Sequence, residues 1–101
     1  MELLLLISYD IKNDKGRTRL SKELERLGFT RLQYSVFAGS ATTSQWSLWR
    51  KRLDTLFTRF HEQGDKLYVI PQSEKMFREI QMSGAPFDVD WVTGNVHTLY
   101  Y

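Results

Sequence analysis

The run Leu3-Leu4-Leu5-Leu6-Ile7 constrains this chain more than any other feature of it. It is too short for a membrane span or a typical helix, and it lacks the polar alternation of a strand with one wet face. The pattern predicts a central strand covered on both sides. Glu2 precedes the run without a basic segment or a small-residue cleavage site, so the run reads as a strand and not as a secretory signal. The apolar character ends at Tyr9-Asp10 and gives way to a segment dense in arginine and lysine. A carboxylate at the end of a buried strand, followed by concentrated positive charge, suits a metal-assisted phosphodiester site or a nucleic-acid groove.

A chain of 101 residues is of the size of one compact domain, so 1–101 is expected to form a single domain. It contains no cysteine, which excludes disulfides and thiolate metal sites and fits a reducing cytoplasm. Any metal must be held by oxygen or imidazole. The formal net charge of +2 conceals an asymmetry: residues 1–59 carry eleven Lys/Arg against six Asp/Glu, and residues 60–101 carry three against six. A basic face able to meet phosphate is one reading of this; an ordinary solvated helix surface is the other.

After the first strand, Asn13 or Asp14 can cap a helix whose apolar stripe is Leu20, Leu24 and Leu27, with Gly28 at the position of a left-handed cap. From Phe29 to Ala38, Leu32, Tyr34 and Val36 alternate with Arg31, Gln33 and Ser35, and Gly39 is the expected point at which this stretch bends or divides. Thr42, Thr43 and Ser44 offer a cap for a second helix carrying Trp46, Trp49, Leu53, Leu56, Phe57 and Phe60 on one stripe. Gly64-Asp65 ends it, Lys66–Ile70 reads as a strand closed by Pro71, and Ser73 can cap a short helix. The tail 87–101, with Val89, Trp91, Val92, Val96 and Leu99, reads as a final extended segment. The order is that of an α+β, ferredoxin-like βαββαβ sandwich with an added C-terminal strand. Such a sheet leaves one face open, whereas the first strand is apolar on both. A second copy of the chain is expected to cover the open face, with the 82–101 extension as an exchanged strand.

Asp10 is the candidate metal ligand, with a turn carboxylate bonded to backbone N–H groups as its plainer reading. One carboxylate is a weak magnesium site, and a two-fold axis pairing Asp10 with its mate would repair the shortage. Between positions 12 and 31, Lys12, Lys15, Arg17, Arg19, Lys22, Arg26 and Arg31 face only Asp14, Glu23 and Glu25. Arg17 and Arg19 lie at the helix start, where a bound anion is favoured. Arg50, Lys51 and Arg52 form a second basic cluster. Trp46 and Trp49 fall on the core stripe, and Tyr9 and Phe37 are open between packing and substrate positioning. His61 and His97 lack zinc spacing, and no nucleophile-elbow or phosphate-loop motif is present.

Tyr9-Asp10-Ile11, Arg17 and Arg19, Gly28 with Arg31, Gln33, Ser35-Val36-Phe37 and Gly39, and the stretch from Asp65 to Pro71 stand in an order and spacing that resembles the CRISPR-associated protein two family. The likeness runs from residue 2 to about residue 81. It implies a ferredoxin-like homodimer with an exchanged C-terminal strand and Asp10 of both chains at a shared cleft, binding magnesium or manganese. It further implies an endonuclease acting on RNA or double-stranded DNA in spacer acquisition, or a non-catalytic architectural subunit that bridges integrase dimers on DNA. By the same resemblance Tyr9, Arg17, Arg19, Arg31 and Phe37 inherit substrate-positioning or catalysis-related roles beside Asp10, the metal ligand; on charge alone, Lys12, Lys15, Arg17, Arg19, Arg50, Lys51 and Arg52 are the expected nucleic-acid contacts. Ala38 departs from the pattern, since many relatives carry an acid or a larger residue there. An RNA-recognition motif shares the fold, but Gln33–Ala41 is a poor substitute for its aromatic base-stacking run. A ribonuclease toxin of the virulence-associated protein D type shares the fold as well.

Overall fold

The computed structural model describes residues 2–84 and 89–93. The elements are β1 (Glu2–Asp10), α1 (Asp14–Arg26), β2 (Thr30–Gln33), β3 (Val36–Thr42), α2 (Thr43–Phe60), β4 (Lys66–Gln72), α3 (Glu74–Arg78) and α4 (Val89–Thr93). The four strands form one sheet in the order β2-β3-β1-β4, with β1 antiparallel to both β3 and β4. This is the expected ferredoxin-like arrangement, with the apolar run as an inner strand.

Period-two alternation along β1 divides the core into two layers. Leu5, Ile7 and Tyr9 face α1 and α2, where they meet Leu20, Leu24, Phe29, Phe37 and Leu53. Leu4 belongs to the opposite layer with Ala38, Phe77 and Val92, and Leu6 and Leu32 pack against it. The double-sided hydrophobicity of β1 thus has a partner within the chain: α3 and α4 supply Phe77 and Val92 to the second face. That cover is partial. Ile70 and Tyr68, which pair in register with Leu6 and Ser8, remain exposed on it.

Local chemistry sets the helix ends. The Asn13 side chain accepts from the Gly16 N–H at 2.8 Å and caps α1. Thr42 and Gln45 form a reciprocal capping box on α2. Gly28 has φ +93°, the left-handed conformation expected after α1. Trp46 and Trp49 pack on Phe29 with ring centroids 6.4 and 6.1 Å away, as core residues.

Three expectations need correction. The strand expected to close at Pro71 runs on to Gln72, with Pro71 paired to Leu5 on what is an edge strand of the sheet. The Phe29–Ala38 stretch divides at Tyr34–Ser35, and Gly39 lies inside β3. Gly39 is there for space: a Cβ would stand 2.8 Å from a ring carbon of Phe29. In the tail, Val89–Thr93 is a helical turn and not part of an extended strand, and its Val92 is buried with Ala38 and Phe77. The remainder of the expected exchanged strand, including Val96, His97 and Leu99, lies outside the described residues.

Candidate functional site

The end of β1 gathers most of the candidate residues, and alternation sends neighbours to opposite faces. Tyr9 is buried on the helix side at 4% exposure, while Asp10 is exposed on the other side, opposite Lys66 in register. Asp10 therefore sits at the end of the incompletely covered face, in line with Tyr68 and Ile70.

On the helix side, Tyr9, Arg17, Thr18, Ser21, Arg31 and Tyr34 line a narrow cleft of about 30 Å³. Phe37 is stacked on Tyr9, with ring centroids 6.3 Å apart and planes 19° from parallel. The Arg31 guanidinium lies over the Phe37 ring, 5.1 Å from the centroid, and also over Tyr34 at 5.6 Å. Burial pushes the Tyr9 phenol above its ordinary value of 10.0, and the charge and hydrogen bond of Arg31 oppose that shift. Tyr9 is thus a neutral hydroxyl beside a fixed cation.

Arg17 turns back from the first turn of α1. Its Nη1 donates to the Ile11 and Lys12 carbonyls at 2.9 and 2.8 Å, and Nη2 pairs with Asp14. This ties the helix to the loop that follows Asp10. The other side of that loop is held by Asp65, whose side chain is 1% exposed. Asp65 accepts from the Glu62 N–H at 2.7 Å and from the Lys12 N–H at 3.4 Å, and the Lys12 ammonium lies 3.8 Å from it. Lys12 is engaged within the chain.

The remaining basic residues are spread over both helices. Arg19, Lys15 and Lys51 are exposed and form no ion pair among the described residues. Arg50 pairs with Asp54 at 3.0 Å, and Arg52 approaches Glu23 at 3.8 Å, a carboxylate that also holds Arg26. The structure thus brings Tyr9, Arg17, Arg31 and Phe37 together and leaves Arg19, Arg50, Lys51 and Arg52 as a diffuse helical surface. Asp10 borders the same strand end from the other face.

Tyr34 and Asp65 are the residues that sequence reading passed over as site components. Asp65 was legible only as part of a family-like segment. Tyr34 was hidden by its alternation with Arg31, which placed it on the apolar face with Leu32 and Val36. The β2–β3 register slips between Arg31 and Gln33, and that bulge turns Tyr34 to the side of Arg31 while Leu32 stays behind the sheet.

The metal question turns on the donor set. Among the described residues no three His, Asp or Glu side chains cluster as a cation cage. One exposed carboxylate fits magnesium, which keeps most of its waters and takes one or two protein oxygens, better than it fits zinc or calcium.

The family model described as CRISPR associated protein Cas2 matches residues 1–80. The chain belongs to the Cas2 family. Among curated members it is 32% identical over 76 residues to the CRISPR-associated endoribonuclease Cas2 of Thermofilum pendens, covering 75% of this chain and 77% of that one. It is 41% identical over 58 residues to a Thermus thermophilus protein of the same name, covering 57% of this chain and 61% of that one. The match therefore spans about three fifths of that Thermus relative. The fold is similar to that of Streptococcus pyogenes Cas2, with a TM-score of 0.61 at 23% identity over 80% of this chain and 99% of that one. It is also similar to the hypothetical protein TT1823 of Thermus thermophilus, with a TM-score of 0.66 at 24% identity over 86% and 98%. The matched segment of the Cas2 family model contains Tyr9, Asp10, Arg17, Arg31, Phe37 and Asp65. No described helix is long and apolar enough to cross a membrane.

Proposed function

We propose that this Cas2-family protein is a homodimeric, magnesium- or manganese-dependent endonuclease acting on RNA or double-stranded DNA in CRISPR adaptation. The observation that carries the reading is the position of Asp10, exposed at the end of β1 on the face where Tyr68 and Ile70 remain uncovered. A second copy packed on that face through a two-fold axis near Asp10 covers the apolar strip and adds the carboxylate that one chain lacks. A divalent cation there would polarise the scissile phosphate and lower the pKa of attacking water. Arg31, with the Tyr9 hydroxyl, holds a neighbouring phosphate on the helix side, where the fork of arginine matches its oxygens, and Arg17, bonded to Ile11, Lys12 and Asp14, braces the loop beside it. The names of the curated relatives as endoribonucleases support the activity class. The test is cleavage of labelled RNA and duplex DNA with magnesium, manganese or chelator. Activity is expected only with metal and is lost in a folded Asp10→Asn protein; metal-independent activity that survives Asp10→Asn would refute the reading.

A second reading is favoured by the lack of a multi-ligand cation cage among the described residues. In it the protein is a non-catalytic subunit that bridges integrase dimers and holds DNA on its basic helical surface. Duplex binding is then steeply salt-dependent and indifferent to Asp10→Asn, with no cleavage under any metal.

A further inference from the structure

Tyr9, Phe37, Arg31 and Tyr34 form a continuous tier of planar groups. Tyr9 stacks on Phe37, Arg31 lies over Phe37 at 5.1 Å, and the same guanidinium lies over Tyr34 at 5.6 Å. The inner part of the tier is sealed, with Tyr9 at 4% and Phe37 at 0% exposure. The outer end is not: Tyr34 is 74% exposed, more than any other large apolar side chain among the described residues. It is held in this place by the β2–β3 bulge, which takes it from the apolar face and sets it beside the two arginines of the cleft. With most of the ring in solvent, a further planar group would continue the stack beyond its contact with Arg31.

We infer that Tyr34 is a stacking platform for one unpaired nucleobase, whose adjoining phosphate is held by Arg31. The inference rests on the nucleic-acid reading above and adds to it a preference for single strands at this cleft. The cleft is narrow, and the exposed ring of Tyr34 at its edge offers the base a face outside it. In a duplex the bases are already stacked on one another and present only edges to the grooves, so Tyr34 distinguishes a single strand from a duplex. Every base has a π-face, so the contact tolerates sequence and depends on the presence of a base.

The experiment measures affinity of the full-length protein for a short single-stranded RNA, the same strand as DNA, the same RNA with abasic positions, and the matching duplex. Wild type, Tyr34→Phe and Tyr34→Ala are compared, with circular dichroism confirming the fold of each. Tyr34→Ala is expected to weaken single-strand binding on the order of ten-fold, the scale of one base stacked on an aromatic side chain. Tyr34→Phe keeps the affinity, the duplex is unaffected, and abasic strands bind wild type as weakly as the intact strand binds Tyr34→Ala. Equal binding of intact and abasic strands, or an unchanged Tyr34→Ala, overturns the platform. Duplex binding without any single-strand binding overturns it and leaves the nucleic-acid reading standing; no binding to either overturns both.

Discussion

Tyr9 shows how one side chain serves both packing and chemistry. Its ring is buried with Phe37, and its oxygen meets Arg31 at the mouth of the cleft. The folded phenol titrates above 10.0, so above that pH the unfolded chain releases its proton first, and stability falls until the folded phenol has ionised too. Arg31→Met removes the one cation that opposes the shift. An ultraviolet difference titration should place the Tyr9 transition higher in Arg31→Met than in wild type, with Tyr9→Phe identifying its signal; an equal or lower transition would contradict the contact. Phe37 belongs to the same argument. It is fully buried, and truncation to alanine is expected to cost about 3–5 kcal/mol in denaturant unfolding, as for other buried aromatics. An inactive Phe37→Ala protein is therefore first a stability result. The sequence left Tyr9 and Phe37 open between packing and substrate positioning because composition and spacing cannot say which side of a strand a neighbour occupies. Their burial answers the packing half.

Among the elements, β1 was legible as an unbroken apolar run buried on both faces, and both long helices and β4 by periodicity and capping. The β2–β3 hairpin was less so. Gly39 looked like a break because glycine weakens strands, yet its conformation is that of β3 and its absent side chain admits the Phe29 ring. Gly39→Ala is expected to lower stability by about 1–3 kcal/mol through overpacking, read as a lowered Tm with the fold retained. The bulge at Leu32 escaped a period-two reading for a plain reason: one extra residue reverses every later face assignment in the strand. Val89–Thr93 was misread because β-branched and aromatic residues mark an apolar segment of either kind when it is short. Asp65 belongs at this scale too, because it joins the α2–β4 connection to the loop after Asp10. Asp65→Ala leaves two backbone N–H groups without that acceptor and should cost about 1–3 kcal/mol, while speeding amide exchange at Lys12 and Glu62. Unchanged exchange there would show that Arg17 alone holds the loop.

In the molecule as a whole, the sheet separates two halves of the candidate site. The arginine cleft lies under the helices, and Asp10 lies at the end of a face that α3 and α4 cover only in part. The sequence anticipated the need for cover on both sides of β1 but assigned it all to a second copy, because Phe77 and Val92 stand too far along the chain for local patterning to place them. The exposed Tyr68 and Ile70 leave work for a partner on the same face as Asp10. The central claim is that two Asp10 carboxylates make one metal-dependent site. Differently tagged wild-type and Asp10→Asn chains, refolded together in graded ratios, test it through magnesium-dependent RNA cleavage. Activity falling as the square of the wild-type fraction is the predicted result; a linear fall, or activity indifferent to the fraction, would contradict it.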